Sequence, residues 1–271
     1  MDILLKTAID AALMAGERLK SGFRSSFAVS FKEHKHNLVT EYDLASEQII
    51  INHIKSIFPN HSFLSEEAGL KQSDLSDIQW IIDPLDGTVN FSHGIPLFSV
   101  SIAAVQQQNI LCGVVYAPMT DELFYAEAGK GAFLNNQPIA VSDATSLLDA
   151  ILVTGFPYNV HENPGNCIGH FSQFAHLGIP IRRLGSAAID LAYIASGRFD
   201  GFWEVLLQPW DIAAGTLIVR EAGGSVIDYQ GNQLNVLQTG SLIATNGKLD
   251  SEILSNLALA DIHFPKGMYR E

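Results

Sequence analysis

Apolar residues recur at Leu4, Ala8, Ala11, Ala12 and Ala15, with Lys6, Asp10, Glu17 and Arg18 around the rest of the wheel. This spacing predicts that the chain opens with an amphipathic helix, ending near Gly22. A second helix is predicted from near Asp43 through Ile50, Ile54 and Ile57 to a stop before Pro59. Between them, the polar and basic stretch around Lys32, His34, Lys35 and His36 reads as a loop. From His61 to Phe133 the pattern changes to short apolar runs bounded by turn residues, at 80–82, 98–105, 111–117 and 122–126, which predict several antiparallel strands. Helical spacing returns at 185–197, 211–223 and 248–259, with strand-like segments at 151–154, 225–228 and 242–245.

Helices and strands therefore mix along the whole chain, with no internal repeat, low-complexity tract or linker, and the expected class is α+β in layers. At 271 residues the expectation is a single domain over 1–271, built as two packed lobes of about 1–140 and 141–271. A content of 47% hydrophobic and 17% charged residues fits a compact globular chain rather than a disordered or coiled-coil one. The longest near-apolar stretches, such as 98–105 and 212–219, fall far short of the roughly 20 residues that span a bilayer. The first residues carry charges inside a helical pattern and lack the apolar core of a secretory signal, so the expected location is cytoplasmic.

Charge narrows the function. With 16 basic against 29 acidic residues the formal net charge is −13, which repels phosphate backbones and anionic lipid and argues against nucleic acid or a membrane surface as the main partner. An anionic substrate would need bound cations. Cys112 and Cys167 are the only cysteines, far apart and in no C-x-x-C pattern, so neither a disulfide framework nor a thiolate zinc site is indicated.

The most informative segment is Trp80-Ile81-Ile82-Asp83-Pro84-Leu85-Asp86-Gly87-Thr88-Val89-Asn90-Phe91. A buried-strand run meets two carboxylates three residues apart. Pro84 holds the chain extended and Gly87 permits a tight bend, so both carboxylates and the Leu85 carbonyl can face one spot. Such an all-oxygen environment suits a hard cation such as Mg2+. If a helical turn follows, the Gly87 and Thr88 amides stand at its N-terminus, where they can cradle an anion. Glu66-Glu67 ends another short run, and Trp210-Asp211-Ile212-Ala213-Ala214-Gly215 opens an apolar helix closing at Glu221-Ala222-Gly223-Gly224. Each feature has an ordinary reading: a turn, a solvated loop, a helix N-cap. They become a site only by converging in space.

Taken together and in this order, with Asn37-Leu38-Val39-Thr40, Ser65-Glu66-Glu67 and the terminal Ile243-Ala244-Thr245-Asn246, these motifs resemble the inositol monophosphatase family, close to its bacterial SuhB-type members. The resemblance covers nearly the whole chain. It implies a layered αβαβα sandwich of the sugar-phosphatase type, shared with fructose-1,6-bisphosphatase. It also implies a Mg2+-dependent phosphomonoesterase that hydrolyses inositol monophosphate to inositol and phosphate by metal-activated water, as an inositol-1-monophosphatase, with two to three Mg2+ per site and inhibition by Li+. The implied metal ligands are Glu66, Asp83, the Leu85 carbonyl, Asp86 and Asp211. Thr88 and Glu66 are implied to position the attacking water, with Asp43 supporting Thr88. Substrate contacts are implied for Asp86, Gly87, Thr88, Gly185, Ser186, Ala187, Glu204 and Asp211, with Glu204 gripping hydroxyls from a loop before Asp211. Lys32 matches a lysine on a mobile loop.

Val89, Ser65, Ser186 and Asn37 depart from the family's commonest residues; none is an implied metal ligand. The resemblance also implies a homodimer. Two alternatives stay open: a related phosphatase acting on histidinol phosphate, fructose bisphosphate, NADP or 3′-phosphoadenosine 5′-phosphate, or a SuhB-like interaction protein in transcription complexes. His34, His36, His161, His170 and His176 read as solvated or core histidines, Cys112 as a small core hydrophobe, and Trp203 and Trp210 as packing residues. Arg182-Arg183 reads equally as solvated charge or as an interface anchor.

Overall fold

The computed structural model describes residues 1–25, 29–31, 38–71 and 76–268; Lys32, His34, Lys35, His36 and Asn37 lie outside the described residues. The chain opens with α1 (Ile3–Gly22), capped by Asp2, whose carboxylate accepts the Leu4 N–H at 3.1 Å. The hairpin β1 (Val29–Phe31) and β2 (Leu38–Thr40) leads into α2 (Glu41–Ile57). This helix starts before Asp43 because Thr40 is its N-cap. Thr40 Oγ1 accepts the Tyr42 N–H, and the Asp43 carboxylate reaches back to the Thr40 N–H at 2.7 Å, a capping box.

Next come β3 (Ser62–Ser65), β4 (Gly69–Lys71), β5 (Ile78–Asp86), the short α3 (Thr88–Ser92), β6 (Ser99–Gln106), β7 (Asn109–Ala117), β8 (Glu122–Glu127), β9 (Ala132–Leu134) and β10 (Gln137–Ile139). They build an eight-stranded sheet in the order β10-β9-β8-β7-β6-β5-β3-β4. Its pairings are antiparallel as the sequence pattern predicts, except that β3 and β5 run parallel. β4 reverses direction at the sheet edge, so β5 re-enters on the other side of β3 in the direction of β3.

The remainder supplies β11 (Leu152–Thr154), α4 (Cys167–His176), β12 (Ile181–Arg182), α5 (Ala187–Ala195), β13 (Gly201–Leu207), α6 (Pro209–Glu221), β14 (Ser225–Ile227), β15 (Gly240–Thr245) and α7 (Asp250–His263). Five of these are strands, ordered β12-β11-β13-β15-β14. The sequence pattern anticipated neither α4 nor β13. The residue before α4, Asn166, is left-handed and makes no capping bond, and the Ile168 N–H is taken instead by Asn163 Oδ1 at 2.9 Å, so the usual start signal is missing. In β13 the near-continuous run Gly-Phe-Trp-Glu-Val-Leu-Leu hides the alternation.

Alternation survives in where the side chains go. Trp80 and Ile82 of β5, Val100, Ile102 and Ala104 of β6, and Val114 and Tyr116 of β7 join α1 and α2 in one core. Ile81, Ala103 and Val115 point the other way, into a core shared with α5, α6 and the inner face of the second sheet. Phe202, Leu242 and Ala244 face that middle core, whereas Trp203 and Ile243 face a third, with Phe174 of α4 and Ile253 and Leu257 of α7. The result is five layers, αβαβα. Sheets covered on both faces explain why their strands read as apolar runs. α6 lies directly on β7: a Cβ on Gly113 would stand 2.8 Å from the Ala214 carbonyl oxygen, a contact that fixes the helix whose first turn carries Asp211.

Candidate active site

At the end of β5 the register with β6 slips between Asp83 and Asp86, a bulge that re-aims side chains at a strand end. Asp83 is 2% exposed, and its Oδ1 accepts the Leu85 N–H at 3.0 Å. Gly87 then turns the chain with φ 95°, a left-handed conformation costly for any residue with a Cβ, and α3 begins at Thr88. The expected helical turn is therefore present. Asn90 ties it to the substrate-loop candidate by donating to the carbonyls of Leu97 (2.7 Å) and Leu184 (2.8 Å), next to Gly185.

Three other segments converge there. Ser186 is the N-cap of α5; its hydroxyl donates to Asp86 Oδ2 at 2.6 Å, and the Ala188 N–H reaches the same oxygen at 2.8 Å. Asp211 sits in the first turn of α6 as the third residue of a capping box rather than as the N-cap, accepting the Gln208 N–H at 2.7 Å. Behind α3, the Thr88 hydroxyl lies 2.9 Å from Asp43 Oδ1 and 3.0 Å from the Leu85 carbonyl, while Asp43 Oδ2 takes the Thr40 hydroxyl and N–H. Glu66 follows β3, its N–H bound to the Ile82 carbonyl at 3.2 Å.

These segments enclose a cleft of about 1020 Å³, lined by Glu66, Asp83, Leu85, Asp86, Gly87, Thr88, Gly185, Ser186, Ala187, Glu204 and Asp211. Every site residue expected from the sequence lines it except Asp43, which stands behind Thr88. Glu204 needs one correction: it lies in β13, not in a loop, just where the pairing with β15 shifts register. Its carboxyl presses on Gly155, where a Cβ would stand 2.0 Å from Oε2, so that position has no room for a side chain.

Burial and mutual repulsion shape the electrostatics. Burial, then the charges of Glu66, Asp86 and Asp211, hold the Asp83 carboxyl well above the usual carboxylate range. Asp211 is raised for the same kinds of reason, burial first and Asp86 next. Asp86 is pushed up to about 6 by burial, even though Ser186 and Ala188 donate to it. Glu204 rises to about 8, through burial and the charge of Asp86, against the pull of Arg183. Such a cluster calls for positive charge.

Among the described residues no group of three or more His, Cys, Asp or Glu side chains is already drawn together to hold a metal ion. The oxygen donors instead line an open cleft. That suits Mg2+, which keeps several waters and is bound by one or two carboxylates plus substrate phosphate rather than by an all-protein cage.

The cleft also contains residues that the sequence reading did not assign to it: Gly155, Tyr158, Asp190 and Arg183. Arg183 is exposed, as a solvated charge would be, yet it also borders the cleft, where its guanidinium stands 5.5 Å over the Phe156 ring. Asp190 had a signal, a lone acid inside the buried helix Ala-Ala-Ile-Asp-Leu-Ala-Tyr-Ile-Ala. Among the histidines, His170 is buried beside Asp261 at 3.6 Å, with its Nδ1 unpartnered among the described residues, and it lies outside this cleft.

The model of the inositol monophosphatase family matches residues 1–260. This chain belongs to the inositol monophosphatase family. A relative in that family, the inositol-1-monophosphatase of Mesorhizobium japonicum, is 42% identical over 253 residues, covering 93% of this chain and 94% of its own. Nus factor SuhB of Escherichia coli K12 is 41% identical over 258 residues, covering 95% and 96%. The crystal structure of the extragenic suppressor protein suhB from Bartonella henselae superposes with a TM-score of 0.89 at 39% identity, over 94% of this chain and 98% of that one. The layered fold is thus the family's fold. Among the described residues, no helix is long and apolar enough to cross a membrane.

Proposed function

We propose that this protein is a Mg2+-dependent phosphomonoesterase that hydrolyses inositol monophosphate. The observation that carries the reading is the convergence of Glu66, Asp83, Leu85, Asp86 and Asp211 on one cleft, with Glu204 also lining it. Those five groups would hold the metal. Bound there, Mg2+ supplies the positive charge that draws in a phosphate dianion and the Lewis acidity that favours attack by water and departure of an alkoxide.

The chain's own groups do the rest. Thr88 has one hydroxyl proton; given to Asp43, it leaves the Thr88 lone pairs free to accept from a water, and the Glu66 carboxylate is a second acceptor that fixes the water's direction. Gly87 and Thr88 present backbone N–H groups to phosphate oxygens, and Ser186 and Ala188 keep Asp86 oriented. Glu204 takes the hydroxyls of the leaving polyol. The names of relatives at 42% and 45% identity, both inositol-1-monophosphatases, favour this substrate. We further infer that residues 1–271 act as one unit of two lobes, because the middle core draws on both sheets. A homodimer and a cytoplasmic location also belong to this reading.

The decisive experiment is phosphate release from inositol 1-phosphate, histidinol phosphate, fructose 1,6-bisphosphate, NADP and 3′-phosphoadenosine 5′-phosphate, with and without Mg2+. Inositol 1-phosphate is expected to be turned over best, with loss in EDTA, recovery with Mg2+ and inhibition by millimolar Li+. Full activity in metal-stripped buffer would overturn the metal assignment. A second reading, protein contact in transcription complexes, is favoured by the SuhB relatives; it is compatible with the first, and retention of Glu66, Asp83, Asp86 and Asp211 argues for working chemistry.

A further inference from the structure

Asp190 has no place in the metal wall, yet it sits one helical turn into α5 from Ser186, with its N–H on the Ser186 carbonyl at 3.0 Å. It lines the same cleft as Glu204 and Arg183. It is 1% exposed, and its Oδ1 is buried with no hydrogen-bond partner among the described residues. An orphaned buried carboxyl oxygen is destabilising, so its presence against a ligand cleft asks for a reason. α5 packs on β13, the strand that carries Glu204, while Gly155 closes on the Glu204 carboxyl.

We propose that Asp190 is a positioning residue for polyol recognition, acting through Glu204, so that the two carboxyl groups and Arg183 form one recognition unit in the cleft. This rests on the reading of the cleft as a polyol-phosphate site. Two buried carboxyls beside a single guanidinium cannot both shed their protons cheaply. Asp190 is the more deeply buried, and burial, then the charges of Glu204 and Asp86, raise its carboxyl well above the usual range against the pull of Arg183, which favours the neutral acid. A neutral carboxylic acid is a donor as well as an acceptor. It can therefore supply the O–H that holds Glu204, or a substrate hydroxyl shared with Glu204, in one orientation, which a second carboxylate could not do.

The test compares Asp190→Leu, which keeps the branched outline with bulkier methyl groups and has no polar atom, with Asp190→Asn, which keeps a donor in the same shape. Asp190→Ala replaces the leucine variant if melting shows the larger side chain to be disruptive. kcat and KM are measured on inositol 1-phosphate, glycerol 2-phosphate and p-nitrophenyl phosphate. The expected result is a loss of kcat/KM about 10-fold greater on the polyol esters than on the aryl ester, carried mainly by KM, with Asp190→Asn restoring it to within about threefold. In a Glu204→Ala background, removing Asp190 should add less than about threefold.

Equal losses on polyol and aryl esters, an asparagine variant as impaired as the leucine variant, or losses that multiply fully with Glu204→Ala would each overturn the inference. Wild-type rates judge the underlying reading separately. Phosphate release from the aryl ester but from neither polyol ester overturns the polyol reading and this inference together. Good wild-type turnover of inositol 1-phosphate with equal variant losses overturns this inference alone.

Discussion

Two sets of acids line the cleft, and they are built in opposite ways. Asp83, Asp86 and Asp211 each accept at least one backbone N–H, from Leu85, Ala188 and Gln208. Glu204 and Asp190 accept none among the described residues, and their nearest compensation is Arg183. A buried carboxyl that is given amide donors is oriented to act as an anion and needs a cation in front of it. One denied them has nothing but burial and neighbouring charge acting on it, is pushed toward its neutral form, and can then exchange hydrogen bonds with neutral hydroxyls. On the function proposed above, the phosphate belongs to the first set and the polyol to the second. A chain of net charge −13 would then handle a dianion because its acids recruit cations locally instead of repelling the substrate.

The sharpest way to break this comparison is Asp83→Asn, which keeps shape but removes the charge at the most enclosed point of the metal wall. Turnover should fall about 10³-fold, at the upper end for a single electrostatic group in an active site, while the melting temperature is retained or raised because a repelled charge has gone. Near-normal phosphate release from the folded variant would sink the metal assignment, and Asp211→Asn offers the same check. Next is Glu66→Gln, with an expected loss of about 10²-fold in kcat at saturating Mg2+, in the lower range for a group that directs proton transfer. An unchanged kcat would remove Glu66 from water positioning.

On the other set, Glu204→Ala forfeits hydrogen bonds between a neutral carboxyl and substrate hydroxyls, worth ~0.5–1.5 kcal/mol each. That is roughly a 2- to 12-fold loss in kcat/KM on inositol 1-phosphate for each bond lost, and the loss on p-nitrophenyl phosphate should be much smaller. Equal losses on both esters would mean that Glu204 supports the charge or structure of the whole cleft, and the contrast between the two sets would dissolve.

Much of this was legible in the chain, and unevenly so. The proposed metal ligands centre on a compact run, Asp83 to Thr88, where proline, glycine and two acids within six positions leave few local structures available. Glu66 and Asp211 needed the family resemblance to be brought to the same place, because nothing in their own neighbourhoods distinguishes them from a loop acid and a capping residue. The hydroxyl-facing set was harder. Glu204 sits in a strand whose two buried faces erase the alternation that marks strands. Asp190 looks like a blemish in an apolar helix until α5 is packed against β13. The parallel pairing of β3 with β5 is likewise a property of the sheet edge, invisible to a reading of periodicity.

The last test probes the protonation contrast without any turnover. In metal-free protein the Glu204 carboxyl sits at about 8, raised by burial and by Asp86 against the pull of Arg183, compared with an ordinary value near 4.3 in an unfolded chain. The folded state therefore binds more protons than the unfolded state between those two values. Because stability follows the difference in protons bound, this group's contribution is fully present below about pH 4 and is lost as pH rises toward 8. Glu204→Gln abolishes that titration while keeping the shape. In EDTA its melting temperature should gain on that of the wild type as pH climbs from 5 to 8, by up to about 1.4 kcal/mol per pH unit, or roughly 2–4 °C per unit for a chain of this size, and should level off above 9. Parallel melting curves across that range would mean that Glu204 is already ionised in the folded protein. The two sets of acids would then differ in position but not in charge.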